Sequence, residues 1–193
     1  MPKSTDTPGE LRSAVLKTLR YFAFFRHPLT LGELHTYLCV PAQREELERT
    51  VAELVESGIL ARQDEYIATD KAFIEKRQKH RDLNDRRLVQ ARWIGRQIAR
   101  FPFVRGVYVS GSLSKLGITG PSDDIDYFII THPGRVWTAK LGLIAFKKLF
   151  LLNSNKYFCI NFLMDLDHLG LQRRNRYIAT EAVSLVPLVR PEL

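Results

Sequence analysis

The chain has 193 residues, 45% of them apolar and 26% charged, with 29 Lys and Arg against 21 Asp and Glu for a net charge of +8. This is enough for one ordinary domain or two small ones and excludes wholesale disorder. The two cysteines, Cys39 and Cys159, are too few and too far apart for a disulfide scaffold or a cysteine metal site, and the basic balance favours an anionic partner without choosing one.

The polar opening Met1–Glu10 does not read as a signal peptide. The longest apolar stretch, Val136–Leu152, is cut by Lys140, Lys147 and Lys148, too short and too charged to span a bilayer. A soluble, cytoplasmic protein without a membrane partner is expected. Leu11, Val15, Leu19 and Phe22 recur at helical spacing and predict a helix over 10–25. After Pro28, Thr30 with Glu33 three residues on forms a capping-box pattern for a second helix carrying Leu31, Leu34 and Leu38. Pro41 is placed as the first residue of a third helix, whose apolar face is Leu47, Val51, Leu54 and Val55 and which Gly58 ends. Ile59–Leu60 and Tyr66–Ala68 read as a small hairpin. Three helices and a hairpin outline a winged helix-turn-helix over residues 1–70. The third helix carries Glu45, Glu46, Glu48, Glu53 and Glu56 against Arg44 and Arg49, so phosphate repulsion argues against groove insertion and favours a protein contact.

Residues 71–100 hold ten Lys or Arg and three acids, a local net charge of +7. They read as one long, largely exposed basic linker helix, able to attract nucleic acid weakly and without sequence preference. From Phe103 the periodicity turns to strands: 104–110, 125–131 and 157–164, with helices over 136–152 and 174–185. The whole is expected to be α+β, a winged helix over 1–70, the linker helix 71–100 and a small mixed-sheet domain over 101–193.

The chemically informative stretch is Gly111-Ser112, eleven intervening residues, then Asp124-Ile125-Asp126. Aspartates at i and i+2 of a strand share one side of the sheet. Two like charges beside an apolar strand are costly unless a cation offsets them, and Mg²⁺ is the ordinary choice where phosphates complete its coordination. Gly111 has no side chain to keep a phosphate away from bare N–H groups, and Ser112 adds a hydroxyl. The pattern resembles the nucleotidyltransferase superfamily of DNA polymerase beta and kanamycin nucleotidyltransferase, over about 103–163. A softer likeness, carried by Phe25–Thr30 and Thr131–Trp137, is to a bacterial subgroup in which a winged helix precedes the transferase domain.

The resemblance implies that Asp124 and Asp126 hold Mg²⁺, that Gly111 and Ser112 bind NTP phosphates, and that a nucleoside monophosphate passes to an acceptor hydroxyl. It also implies a third carboxylate on a later strand and further helical material after the last helix. The corresponding strand carries Asn161, an amide that can offer one neutral oxygen and cannot take a proton, so Asn161 is the candidate third position. Asp165 and Asp167 just beyond could swing in toward the pair but are read as a strand-end turn, His132 and His168, which lack partners at ligand spacing, as exposed, Cys159 as a buried apolar residue, and Lys140 and Arg135 as lesser candidates to reach a triphosphate. The alternatives are a catalytically degenerate domain that senses nucleotide or mediates assembly, favoured by Asn161, and a DNA-binding regulator, which the acidic third helix opposes.

Overall fold

The computed structural model describes residues 8–150, 156–170 and 175–189. The chain is mixed α+β and divides into two compact units, Met1–Lys79 and His80–Leu193, each with its own sheet. Among the described residues no helix is long and apolar enough to cross a membrane.

In the first unit, α1 (Pro8–Phe24), α2 (Leu31–Tyr37) and α3 (Arg44–Glu56) enclose a core of Val15, Leu19, Phe22, Leu34, Leu47 and Leu54. The capping box forms: Glu33 N–H donates to Thr30 Oγ1 at 3.2 Å and Thr30 N–H to Glu33 Oε2 at 2.8 Å. Pro41 lies ahead of α3, for which Gln43 is the N-cap. Gly58, at φ +72°, follows the C-cap Ser57. The second strand of the hairpin, Tyr66–Ala68, forms where expected, but the first is displaced. The Ile59 and Leu60 N–H groups both donate to Leu54 O, so those residues finish the helix end and pairing begins at β2 (Ala61–Gln63). Leu29–Thr30 forms β1, too short to show an alternation in sequence, and it pairs with β3 (Tyr66–Ala68) to give the antiparallel order β1-β3-β2.

The single helix expected over 71–100 is two, α4 (Lys71–Lys79) and α5 (Arg81–Ala99), separated at His80. The boundary between the compact units falls there too, so this basic stretch is shared between them. Nor is it a solvated face throughout. Arg77 is 7% exposed, donating to Glu33 Oε1 at 2.6 Å, Glu33 Oε2 at 2.8 Å and Pro28 O at 2.6 Å, with its guanidinium 4.8 Å from the Tyr66 ring centroid.

In the second unit α5 is followed by β4 (Val104–Val109), the short α6 (Gly111–Ser114), β5 (Asp126–Thr131), α7 (Val136–Phe150), β6 (Cys159–Asp165), α8 (Arg176–Val183) and β7 (Val186–Val189). The sheet order is β6-β5-β4-β7. β5 and β6 are parallel, joined through α7, and the other pairs are antiparallel. Val107, Val109, Tyr127 and Ile129 point to one face and bury against Ala91, Ile94 and Ile98 of α5 and Leu143 of α7. No strand is expected from the sequence after residue 185; β7 tolerates Pro187 because it is an edge strand. The ends 151–152 and 174 of the expected helices lie outside the described residues.

Burial works against ionisation of Glu33, but the hydrogen bonds and charge of Arg77 outweigh it and hold the carboxyl below its ordinary value. Its contribution is therefore present above about pH 4.3 and is lost as pH falls through the lower folded value. Glu33→Gln, which leaves Arg77 buried with a neutral partner, is expected to cost about 2 kcal/mol at pH 7. Urea unfolding of wild type and variant should converge as the pH falls below the ordinary glutamate range.

Candidate functional site

The N–H of Ser110 donates to Asp126 O at 2.9 Å, which extends the β4–β5 ladder past its last pair and sets the Gly-Ser turn beside the first residue of β5. Gly111 then takes φ +63°, and a Cβ there would lie 2.2 Å from Asp126 Oδ2. Only glycine permits that backbone against that carboxylate. Ser112 is exposed in α6, and its carbonyl accepts from Gly117 N–H at 2.9 Å, closing the turn.

The loop between Ser112 and Asp124 is pinned from α5. Buried Asn84 donates to Ile118 O and accepts from Ile118 N–H, both at 3.0 Å. Arg87, 3% exposed, donates to Pro121 O. Asp123 belongs to the loop as expected: its Oδ2 accepts from Thr119 N–H at 2.9 Å and Gly120 N–H at 3.1 Å. With Ile118 and Ile125 fully buried, the chain emerges so that Ile125 faces the core while Asp124 and Asp126 face away from it.

Asp124 is exposed and Asp126 half-buried. Burial raises the Asp126 pKa above the ordinary aspartate value; the Cys159 thiol and Lys115 oppose this, while Asp124 and Glu181 add repulsion. Cys159, paired with Asp126 across β5 and β6, is not the buried apolar residue expected. It is half-exposed, and burial and the neighbouring carboxylate push its thiol up to about 11.

Asn161 is the extra residue at the register shift between Tyr127↔Ile160 and Phe128↔Phe162. Its amide donates to Ser110 Oγ at 3.2 Å, so it braces the residue before Gly111. Asp165 pairs with Thr131 at the other end of β5 and β6, about 16 Å from Asp126 at the usual strand rise. There it accepts from Gly134 N–H at 3.1 Å and contacts His168 Nδ1 at 2.6 Å. His168 is thus exposed but partnered. The hydrogen bond with Asp165 raises its pKa and, with the Gly134 N–H, lowers that of Asp165. Arg135 and Lys140 also lie after β5, over the rings of Phe103 and Trp137, so neither flanks the Asp pair.

Two residues of the site escaped sequence reasoning. Lys115 Nζ donates to Gly111 O at 2.9 Å and to Glu181 Oε1 at 2.7 Å. Glu181, on α8, is separated from the Asp pair by more than fifty residues, and no local pattern marks it. A cavity of about 500 Å³ opens beside it, between α8 and the outer face of the sheet. Among the described residues no three His, Cys, Asp or Glu side chains are grouped as a metal site. The oxygen-only Asp pair with a bare backbone beside it suits a hard cation whose remaining ligands are phosphate and water. No protein-family model, curated protein or solved structure matches the chain.

Two outcomes follow from this geometry. Gly111→Ala, strained at positive φ and colliding with Asp126, should lower stability by at least about 1 kcal/mol in urea titration. In NMR titration the His168 imidazole should have a midpoint above about 6.5, and Asp165→Asn should return it toward that value.

Proposed function

We propose that residues 80–193 form a Mg²⁺-dependent nucleotidyltransferase-type domain that moves a nucleoside monophosphate from NTP to an acceptor hydroxyl. The observation that supports this best is the Gly111 backbone set against the Asp126 carboxylate, with Asp124 on the same side. In this reading Asp124 and Asp126 hold the metal, and Gly111 and Ser112 receive the phosphates. A bound Mg²⁺ would tie the carboxylates to the phosphates and offset their charge. The chain's own work is positional: Asn84 and Arg87 fix the loop, Asn161 steadies Ser110, and Lys115 ties Gly111 to Glu181.

Residues 8–70, three helices with the antiparallel order β1-β3-β2, are proposed to be a winged helix used for protein contact. The acidic α3 supports this over DNA binding, as does the engagement of Arg77 and Arg87 in buried hydrogen bonds. A second reading, a nucleotide sensor without turnover, is supported by the amide at Asn161 and is separated from the first by whether product forms.

Calorimetry tests the binding claim. ATP or GTP is expected to bind with Mg²⁺ and at least tenfold more weakly in EDTA, and Asp124→Asn and Asp126→Asn should each remove most of that difference. Equal affinity with and without Mg²⁺, or no binding at millimolar NTP, would overturn the proposal.

A further inference from the structure

The nucleotide-transfer reading leaves two things without an owner: the acceptor, and a group to take its proton, because Asn161 cannot. The cavity beside α8 addresses both. Its walls are the outer-face side chains Tyr108, Phe128, Ile130 and Phe162, with Ile178 and Leu185 closing the other side. Phe128 stands edge-on to Tyr108 and tilted to Phe162, with centroids 6.2 and 5.8 Å away, so the sheet presents an aromatic floor. A volume of about 500 Å³ suits a small molecule. Among the described residues of the lining, the polar side chains besides Tyr108 are Ser110 and Glu181. Both are tied to the Gly111–Asp126 corner: Ser110 by its N–H to Asp126 O, Glu181 through Lys115 to Gly111 O and by its repulsion of the Asp126 carboxylate. The polarity of the cavity is therefore gathered where the chemistry would occur.

Glu181 carries the second observation. Its Oε1 is held by Lys115, whereas its Oε2 has no hydrogen-bond partner among the described residues and lies closed off from the cavity until the carboxylate turns. An orphaned carboxylate oxygen costs free energy until a donor reaches it. A nucleobase is a poor occupant, since its several ring nitrogens and exocyclic groups would meet apolar walls. A body that is apolar except for one hydroxyl satisfies both the walls and Glu181.

We propose that this cavity is the acceptor site, that its occupant is a small alcohol with an aromatic or comparably apolar body, and that the Glu181 carboxylate turns Oε2 into the cavity to accept the hydrogen bond of its hydroxyl. This rests on the nucleotide-transfer reading. In the transfer, the hydroxyl oxygen bonds to the α-phosphorus of NTP and its proton passes to Glu181 Oε2. The bond from the α-phosphorus to the bridging oxygen breaks, and pyrophosphate leaves with that electron pair. Glu181 then returns the proton to solvent.

The test uses the full chain, with 2-naphthylmethanol and 2-methylnaphthalene as fluorescent probes that differ by one hydroxyl. Binding is measured with and without Mg²⁺ and a non-hydrolysable ATP analogue. The wild type should bind the alcohol at least tenfold more tightly than the hydrocarbon. Ala182→Trp, which fills the cavity from α8, should weaken both at least tenfold. The double variant Lys115→Met/Glu181→Leu removes both ionic partners together, avoiding a stranded charge, and should bind the two probes equally. Circular dichroism checks that each variant is folded, and the wild-type comparison needs no variant. The inference is overturned if the wild type shows no preference for the alcohol, if the preference survives in the double variant, or if the ATP analogue expels the probe, which would make the cavity the base site. Probe binding as expected with no nucleotide binding in the wild type would overturn the transfer reading and leave an alcohol site.

Discussion

Negative charge gathered at one end of the second sheet is the constraint around which that unit is arranged. Asp124 and Glu181 both repel Asp126 there, and Asp126 is half removed from water. Each is accommodated differently. Asp124 stays in solvent, Asp126 receives the Cys159 thiol, and Glu181 is paired with Lys115. Lys115 balances one charge and leaves the corner electronegative, so a ligand that brings positive charge is stabilised there. Close approach of backbone to carboxylate is possible only because Gly111 lacks a Cβ. The same corner therefore joins backbone shape and charge.

Such a corner is useful only if the chain between its two halves holds still. The stretch from Ser112 to Asp124 has little regular structure beyond α6 and would be mobile on its own. Asn84 substitutes for a strand partner by pairing with both backbone groups of Ile118, and Arg87 holds Pro121 O. Both sit on α5, whose apolar side packs into the core of the same sheet. The loop is thus referred to the same rigid frame as β4 and β5, a requirement for holding charged groups in register. An arginine-rich helix turns out to use one of its arginines internally.

The first unit shows the same economy. Arg77 joins α4 to the start of α2 by satisfying Glu33 and Pro28 O together, while Glu33 also completes the Thr30 capping box. One carboxylate serves helix initiation and tertiary closure. Its removal would disturb both, and it could not be recognised from the capping pattern alone.

Features governed by neighbours in the chain were legible in the amino-acid order. Helical spacing from Leu11 to Phe22, the Thr30–Glu33 box, the strands around Val107 and Ile129, and the Gly111-Ser112 and Asp124-Ile125-Asp126 pattern all depend on periods of two to four residues or on one residue's stereochemistry. Features created by folding were not. The two-residue β1 and the edge strand β7 each depend on partners far away in sequence. A proline is admitted in β7 because the sheet places that strand at an edge. Above all, Glu181 reaches the Asp pair only because α8 crosses the outer face of the sheet, and Lys115 finds it across 66 residues. Electrostatic repulsion and a missing hydrogen bond act through space, so the assignment of that carboxylate belonged to the tertiary structure.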